Sequence, residues 1–304
     1  MSTEDIARVF LPISLAVIMF SMGLTLTLPD FTRLIRQPRD FLVGAIMHVA
    51  ALPILAFLLV SIIPARPEIA VGFMLVAASP TGVASTMLTH IGRGDLALSI
   101  AITTFSSLVS IITLPIIVGW SLSHFMGVRA PELPIADTIL TIFTILVGPT
   151  ALGVAFARYS PSFAEWVEPR TRTLAMTFFA AIVVSAIVAK RGSFAYYIAV
   201  AAPIALALNF SVMCLAFVVA TLFATGPRQR TAITLECGVQ NAALAIVIAV
   251  TMLNSLEISI PAAAYGVIML FLGFGFALWS AAHARNEPTP QSPGNTPRKM
   301  RSLL

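Results

Sequence analysis

Charged side chains are scarce in this sequence. Of 304 residues, 18 are Lys or Arg and 13 are Asp or Glu, together 10%. A soluble domain carries about 25% charged residues and needs polar groups to cover its outside. So few charges exclude a soluble enzyme or a DNA-binding domain. Lysine is rarer still, two residues against sixteen arginines, which points to a GC-rich genome and a bacterial inner membrane. The two cysteines, Cys214 and Cys237, both lie inside apolar segments, which excludes a disulfide framework. Neither H-E-x-x-H nor G-x-S-x-G occurs, so an intramembrane enzyme built on Ser85 with His48 or His90 lacks a supporting motif. No cleavable signal precedes the first apolar segment, which reads as a mature span.

What the chain has instead is apolar length. Hydrophobic residues make up 58% of it, and the mean hydropathy is +0.96. A spanning helix needs about 20 apolar residues. The pattern predicts an all-α integral membrane protein of about nine spans, near 6–28, 40–63, 67–91, 95–124, 135–158, 171–190, 194–225, 229–254 and 258–282. Pro38, Pro64, Pro67, Pro131, Pro134, Pro169 and Pro227 all fall at these limits. No room remains for a soluble domain. The polar tail, 283–304, rich in Pro and Ser, reads as disordered.

The net charge of +5 is spread between spans, not gathered in one patch, so it indicates no nucleic-acid partner. With nine spans, thirteen Lys and Arg fall on one face and five on the other. The positive-inside rule then puts the C-terminus in the cytoplasm and the N-terminus outside.

Two spans carry polar groups unsuited to plain contact with lipid. The third holds Ser79, Pro80, Thr81, Gly82, Ser85, Thr86 and Thr89. The eighth holds Glu236, Gly238, Gln240 and Asn241 near its centre. A carboxylate at bilayer depth is costly and marks function by default. No Lys or Arg lies at mid-span, so Glu236 must bind a cation, hold a proton or border water; the structural alternative is a protonated Glu bonded to a neighbouring helix. Gly82-Val83-Ala84-Ser85 and Gly238-Val239-Gln240-Asn241 occupy corresponding places in the two spans. Paired interrupted helices of this kind point to an inverted-repeat transporter; the alternative is two packing kinks. The fourth span starts after the Gly92-Arg93-Gly94-Asp95 turn. It places Ser99, Thr103, Ser106, Ser107 and Ser110 on one face, where small hydroxyls also serve as packing groups between helices.

Glu236-Cys237-Gly238-Val239-Gln240-Asn241 resembles the E-x-G-x-Q-N signature of the bile acid:sodium symporter family. Met19-Phe20-Ser21-Met22-Gly23-Leu24 with Asp30-Phe31, the stretch Ser79–Ser85 and the stretch Gly92–Ser99 resemble other motifs of that family, in order, over about residues 10–282. Bacterial members often have ten spans; this chain is similar to the nine-span animal members. The resemblance implies two broken helices crossing near the midplane, a core (spans near 40–124 and 194–254) and a panel (spans near 6–28, 135–190 and 258–282). It implies sodium-coupled import of an organic anion, bile acid-like, pantoate-like or another carboxylate, by alternating access with one or two sodium ions. The first sodium site would use Ser85, Ser99, Thr103 and Glu236, with Thr86 where the family has Asn. The second would use Glu236, Gln240 and the carbonyls of Cys237 and Val239. Asn241, with Val83 and Thr81 in the other crossing segment, would meet the substrate. Where the family has Gln before the third span, this chain has His48. Imidazole is a poor sodium ligand but titrates near neutral pH. His48 therefore either joins Glu236 in proton coupling or donates a hydrogen bond to a backbone carbonyl. An uncoupled channel or a receptor is the remaining alternative; the clustering of polar groups at one depth and the lack of a sensing domain count against both.

Overall fold

The computed structural model describes residues 3–25, 38–129, 135–189, 194–223 and 226–284. The tail from 285 onward, Asp30, Phe31 and the Pro131 and Pro134 boundaries lie outside the described residues. The described residues are helical apart from short connections and one isolated β-bridge.

The elements are α1 (Thr3–Thr25), α2 (Pro38–Ile62), α3 (Pro67–Ala78), α4 (Val83–Ile91), α5 (Leu96–Met126), α6 (Ile135–Tyr159), α7 (Pro161–Ala189), α8 (Phe194–Phe223), α9 (Pro227–Gly238), α10 (Ala242–Met252) and α11 (Leu256–Ala284). Among the described residues, helix occupies each segment expected to span. Among the described residues, α2, α5, Ala199–Phe223 of α8 and α11 are long and apolar enough to cross a membrane. Expected spans three and eight are each two half-helices, α3–α4 and α9–α10.

Prolines explain several boundaries. Pro67 and Pro227 sit in the first turn of α3 and α9, where a missing N–H costs nothing. Pro169, expected at a helix start, instead lies inside α7, which begins eight residues earlier at Pro161. Membrane helices tolerate internal proline because neighbouring groups satisfy the carbonyl it frees. The turn before α5 is fixed by Asp95, whose Oδ1 accepts from Ala97 N and Leu98 N. Its Oδ2 accepts from Gln229 Nε2 at 3.2 Å, and its own N–H donates to Arg228 O at 2.9 Å, tying this turn to the start of α9.

The helices pack in two ways. The half-helices, α2, α5, α8 and α11 enclose a continuous buried core. α1 packs against α6 and α7. The last span, 258–282, was expected beside 6–28 and 135–190; α11 instead packs mainly on α8 and the half-helices. Backbone closeness is the reason: a Cβ on Gly72 of α3 would stand 2.5 Å from Ile258 O, and one on Gly273 would stand 2.9 Å from Leu88 of α4. Aromatic clusters gather near helix ends, Phe57–Trp120–His124–Phe125 on α2 and α5 and Phe217–Phe276–Trp279 on α8 and α11, as in the aromatic belts of membrane interfaces.

α1 and α6 cross where Gly23 faces Gly153; a Cβ on Gly153 would overlap the Phe20 carbonyl. Small residues let membrane helices approach this closely. Gly153→Leu is expected to destabilise the purified protein by about 1–3 kcal/mol through overpacking. Gly148→Ala, where nothing lies within 4 Å, should stay near wild type in the same thermal melts.

Candidate functional site

The two breaks meet. Ser79, Gly82 and Val239 are extended, so each linker is a short piece of strand. Thr81 and Gln240 pair as an isolated antiparallel bridge. Asn241 N donates to Pro80 O at 2.8 Å, and Gly82 N donates to Val239 O at 3.4 Å. Glycine suits position 82: an added Cβ would stand 3.1 Å from Gln240 O. The C-terminal ends of α3 and α9 and the N-terminal ends of α4 and α10 therefore converge. Carbonyl ends carry partial negative charge and N–H ends partial positive charge.

Glu236 is fully buried in the last turn of α9. Hydroxyls meet its carboxylate. Ser99 Oγ donates to Oε1 at 2.5 Å and Thr103 Oγ1 to Oε2 at 2.7 Å. Thr81 Oγ1 donates to Thr103 Oγ1 at 2.8 Å, so a second hydroxyl stands behind the first. Ser85 and Thr81 also face the carboxylate. Ser99 and Thr103 reach it because they are four apart on one face of α5.

The structure brings together the residues expected at the first sodium site, Ser85, Ser99, Thr103 and Glu236. Thr86 stands at its edge, half-buried, with its Oγ1 3.3 Å from Ser99 Oγ. The second expected set is also gathered, but its atoms bond one another. Gln240 Nε2 donates to Cys237 O at 2.9 Å and to Glu236 O at 3.4 Å. Gln240 Oε1 is buried without a partner. Nε2 is the end of the amide that meets these carbonyls, and turning the amide over would offer a hard cation the unpartnered Oε1 instead. Among the described residues no three His, Cys, Asp or Glu side chains cluster as a transition-metal site.

Among the expected substrate contacts, Asn241 caps α10, its Oδ1 accepting from Leu244 N at 3.0 Å, while its Nδ2 is buried and unpartnered. Thr81 is fully buried, with its hydroxyl on Thr103 and its N–H 3.4 Å from Ser106 Oγ; it belongs to the carboxylate network and does not face open space. Val83 starts α4, and its side chain lies outside the described residues. His48 is buried on α2, facing the carbonyls of Glu236 and Ser79.

Two contributors were not anticipated. Asn209 Nδ2 of α8 and the Tyr265 hydroxyl of α11 both donate to Gly238 O, at 2.6 and 3.0 Å. They hold the carbonyl freed where α9 breaks. Asn209 was visible as a lone amide in an apolar run, the signal that singled out Glu236.

Comparison with known proteins places this architecture. The profile of the Sodium Bile acid symporter family matches residues 12–196, more than half of the chain. The chain belongs to this family. It is a family of transporters, not of enzymes, and the chain is a multi-pass membrane protein. Relatives of this symporter-family chain include a rice protein named probable sodium/metabolite cotransporter BASS2, chloroplastic, 29% identical over 88% of this chain and 62% of the rice protein. An uncharacterised sodium-dependent transporter of Bacillus subtilis, YocS, is 29% identical over 85% of this chain and 78% of its own length. The rat hepatic sodium/bile acid cotransporter is 23% identical over 89% and 73%. The symporter-family chain thus spans less than two thirds of the rice protein's length.

Thr103 links two hydroxyls to the carboxylate. Thr103→Val should leave Glu236 Oε2 without its donor and the Thr81 hydroxyl without its acceptor, costing about 1–3 kcal/mol. Thr103→Ser keeps both bonds and should melt close to wild type.

Proposed function

We propose that this chain is a secondary active transporter that uses sodium to import an organic anion by alternating access. The observation that carries this reading is Glu236, a fully buried carboxylate at a helix crossover whose oxygens are met by hydroxyls. A carboxylate at bilayer depth costs about 3 kcal/mol on insertion scales. A cation beside it offsets that cost, and the cost of moving the bound pair falls with it.

The first sodium would take oxygens from Ser85, Ser99, Thr103 and Glu236, with Thr86 at the rim. The second would take Glu236, the Gln240 amide oxygen and the carbonyls of Cys237 and Val239, for which the Gln240 amide turns over. Sodium is hard and prefers such oxygens. The substrate's negative group would lie on the opposite pole of the break. There the N-termini of α4 and α10 point, α4 has no side-chain cap, and Asn241 Nδ2 is a free donor. The names of the relatives support both halves of the reading, a sodium ion and a metabolite or bile acid.

Nine spans, with the N-terminus outside and the C-terminus in the cytoplasm, remain our reading of the topology. For the moving parts we group α1, α6 and α7 as one unit and place α11 with the half-helices, because of its backbone contacts to α3 and α4. Bound sodium would order the crossover for the anion, and by linkage the anion would tighten sodium equally.

Thermal stability of the purified protein in sodium or potassium tests the proposal. A ligand of the folded state at about 100 times its Kd adds about 2.7 kcal/mol. Wild type should gain stability in sodium and not in potassium, and Glu236→Gln should fold but lose the gain. Equal melting in both salts, or a sodium response that survives in Glu236→Gln, would overturn it. A response to pH alone would replace sodium by a proton.

A further inference from the structure

α2 is not regularly wound at the level of the crossover. Met47–Ala51 form a π-turn, in which Leu52 N–H bonds back to Met47 O, five residues earlier. Pro53 follows and has no N–H to offer the preceding turn. Such wide turns are frequent at functional sites. This one sets His48 inward, 4% exposed.

The imidazole faces two carbonyls, Glu236 O in α9 and Ser79 O just after α3. Carbonyls only accept, so the nitrogen on that side carries a hydrogen. Nδ1 is buried with no partner, which leaves Nε2 as the donor. In a neutral ring protonated at Nε2, Nδ1 is an acceptor only.

A small cavity opens beside the ring, lined among others by His48, Pro53, Ala78, Ser106, Ser110 and Thr113. The hydroxyls on its wall have spent their protons within α5. Ser106 donates to Thr103 O at 3.0 Å, Ser110 to Ser107 O at 2.9 Å and Thr113 to Val109 O at 3.1 Å. The polar wall therefore offers lone pairs and no protons. Its occupant must bring hydrogens of its own. No carboxylate lines the cavity, and an imidazole nitrogen is a poor ligand for a hard cation. A water with two or more polar partners suits such a space.

We propose that this cavity holds a bound water that donates to His48 Nδ1 and to the hydroxyl of Ser110 or Thr113, since Ser106 Oγ already accepts from Thr81 N. The water locks His48 as a positioning residue whose Nε2–H ties the ends of α3 and α9 together beneath the cation site. His48 touches neither ion nor substrate; it sets where the carbonyl ends lie. This inference rests on the sodium reading only for its effect on sodium, not for the tautomer.

The first test is 15N NMR of histidine-labelled wild type, with the His48 signals assigned by their loss in His48→Gln. The expected spectrum has Nε2 protonated and Nδ1 bare, shifted as an acceptor. The double substitution Ser110→Ala with Thr113→Val should move the Nδ1 resonance. A proton on Nδ1 overturns the proposal, and so does an Nδ1 resonance that ignores the double substitution.

The second test compares two amides. A Gln amide reaches as far as Nε2; an Asn amide reaches only as far as Nδ1. His48→Gln should keep the sodium Kd within about twofold of wild type, while His48→Asn should weaken it by about five- to tenfold, the worth of one buried hydrogen bond. Equal sodium curves for the two variants also overturn the proposal. Should His48→Asn fail to fold, the wild-type spectrum decides alone. Should wild type ignore sodium, the transport reading fails while the tautomer still tests this one.

Discussion

In lipid, every backbone polar group must find a partner within the protein. Two helices broken at one depth violate that rule at four helix ends together, and much of the described architecture answers the violation. Each linker pairs with the other through Pro80, Gly82, Val239 and Asn241. The Asn241 side chain caps α10, Asn209 and Tyr265 hold Gly238 O, Ser106 receives Thr81 N, and His48 faces the ends of α3 and α9. The groups that answer it come from α2, α5, α8 and α11. Those four helices must pack around the crossover because each supplies a bond that water would supply elsewhere.

The same requirement explains why the carboxylate can sit there. A lone Glu236 at that depth would go uncompensated. Four hydroxyls from α5 and the first crossing segment surround it. Hydroxyls stabilise a carboxylate without cancelling its charge. A lysine or arginine in their place would pair with Glu236 permanently and leave no attraction for a mobile ion. A shell that is polar but uncharged would keep the site attractive to a cation that must later leave, as the proposed transport requires.

How much of this was legible in the sequence follows from what each signal measures. Glu236 stood out because one charge in an apolar run is costly anywhere in the membrane. The half-helices stood out because Pro, Gly and small hydroxyls gather where a helix must stop, and Ser99 with Thr103 because a helix repeats every 3.6 residues. Hydropathy measures burial in lipid or protein alike, so it could not tell which neighbours α11 chooses; the Gly72–Ile258 approach that decides it is a tertiary fact. Pro169 misled because proline marks a helix start in water, whereas in α7 Pro161 takes that role. Thr81 was expected to meet substrate as part of the other crossing segment, and only the fold shows its hydroxyl turned onto Thr103. Asn209 carried the same kind of signal as Glu236 in weaker form, an amide in place of a charge.

The geometry of a double break also bears on coupling. One linker joins a negative helix end to a positive one, α3 to α4, and the other does the same from α9 to α10. In the proposed mechanism a cation held by the carbonyl ends and an anion held by the N–H ends would touch opposite poles of one bridge, Thr81 to Gln240. Neither ligand can shift its pole without moving the bridge, and the bridge carries the other pole with it. A single break would offer one pole of each sign on separate, independently mobile ends. Two breaks crossed and hydrogen-bonded make the four ends one body, which is the least structure that lets a cation's binding energy reach an anion it does not touch.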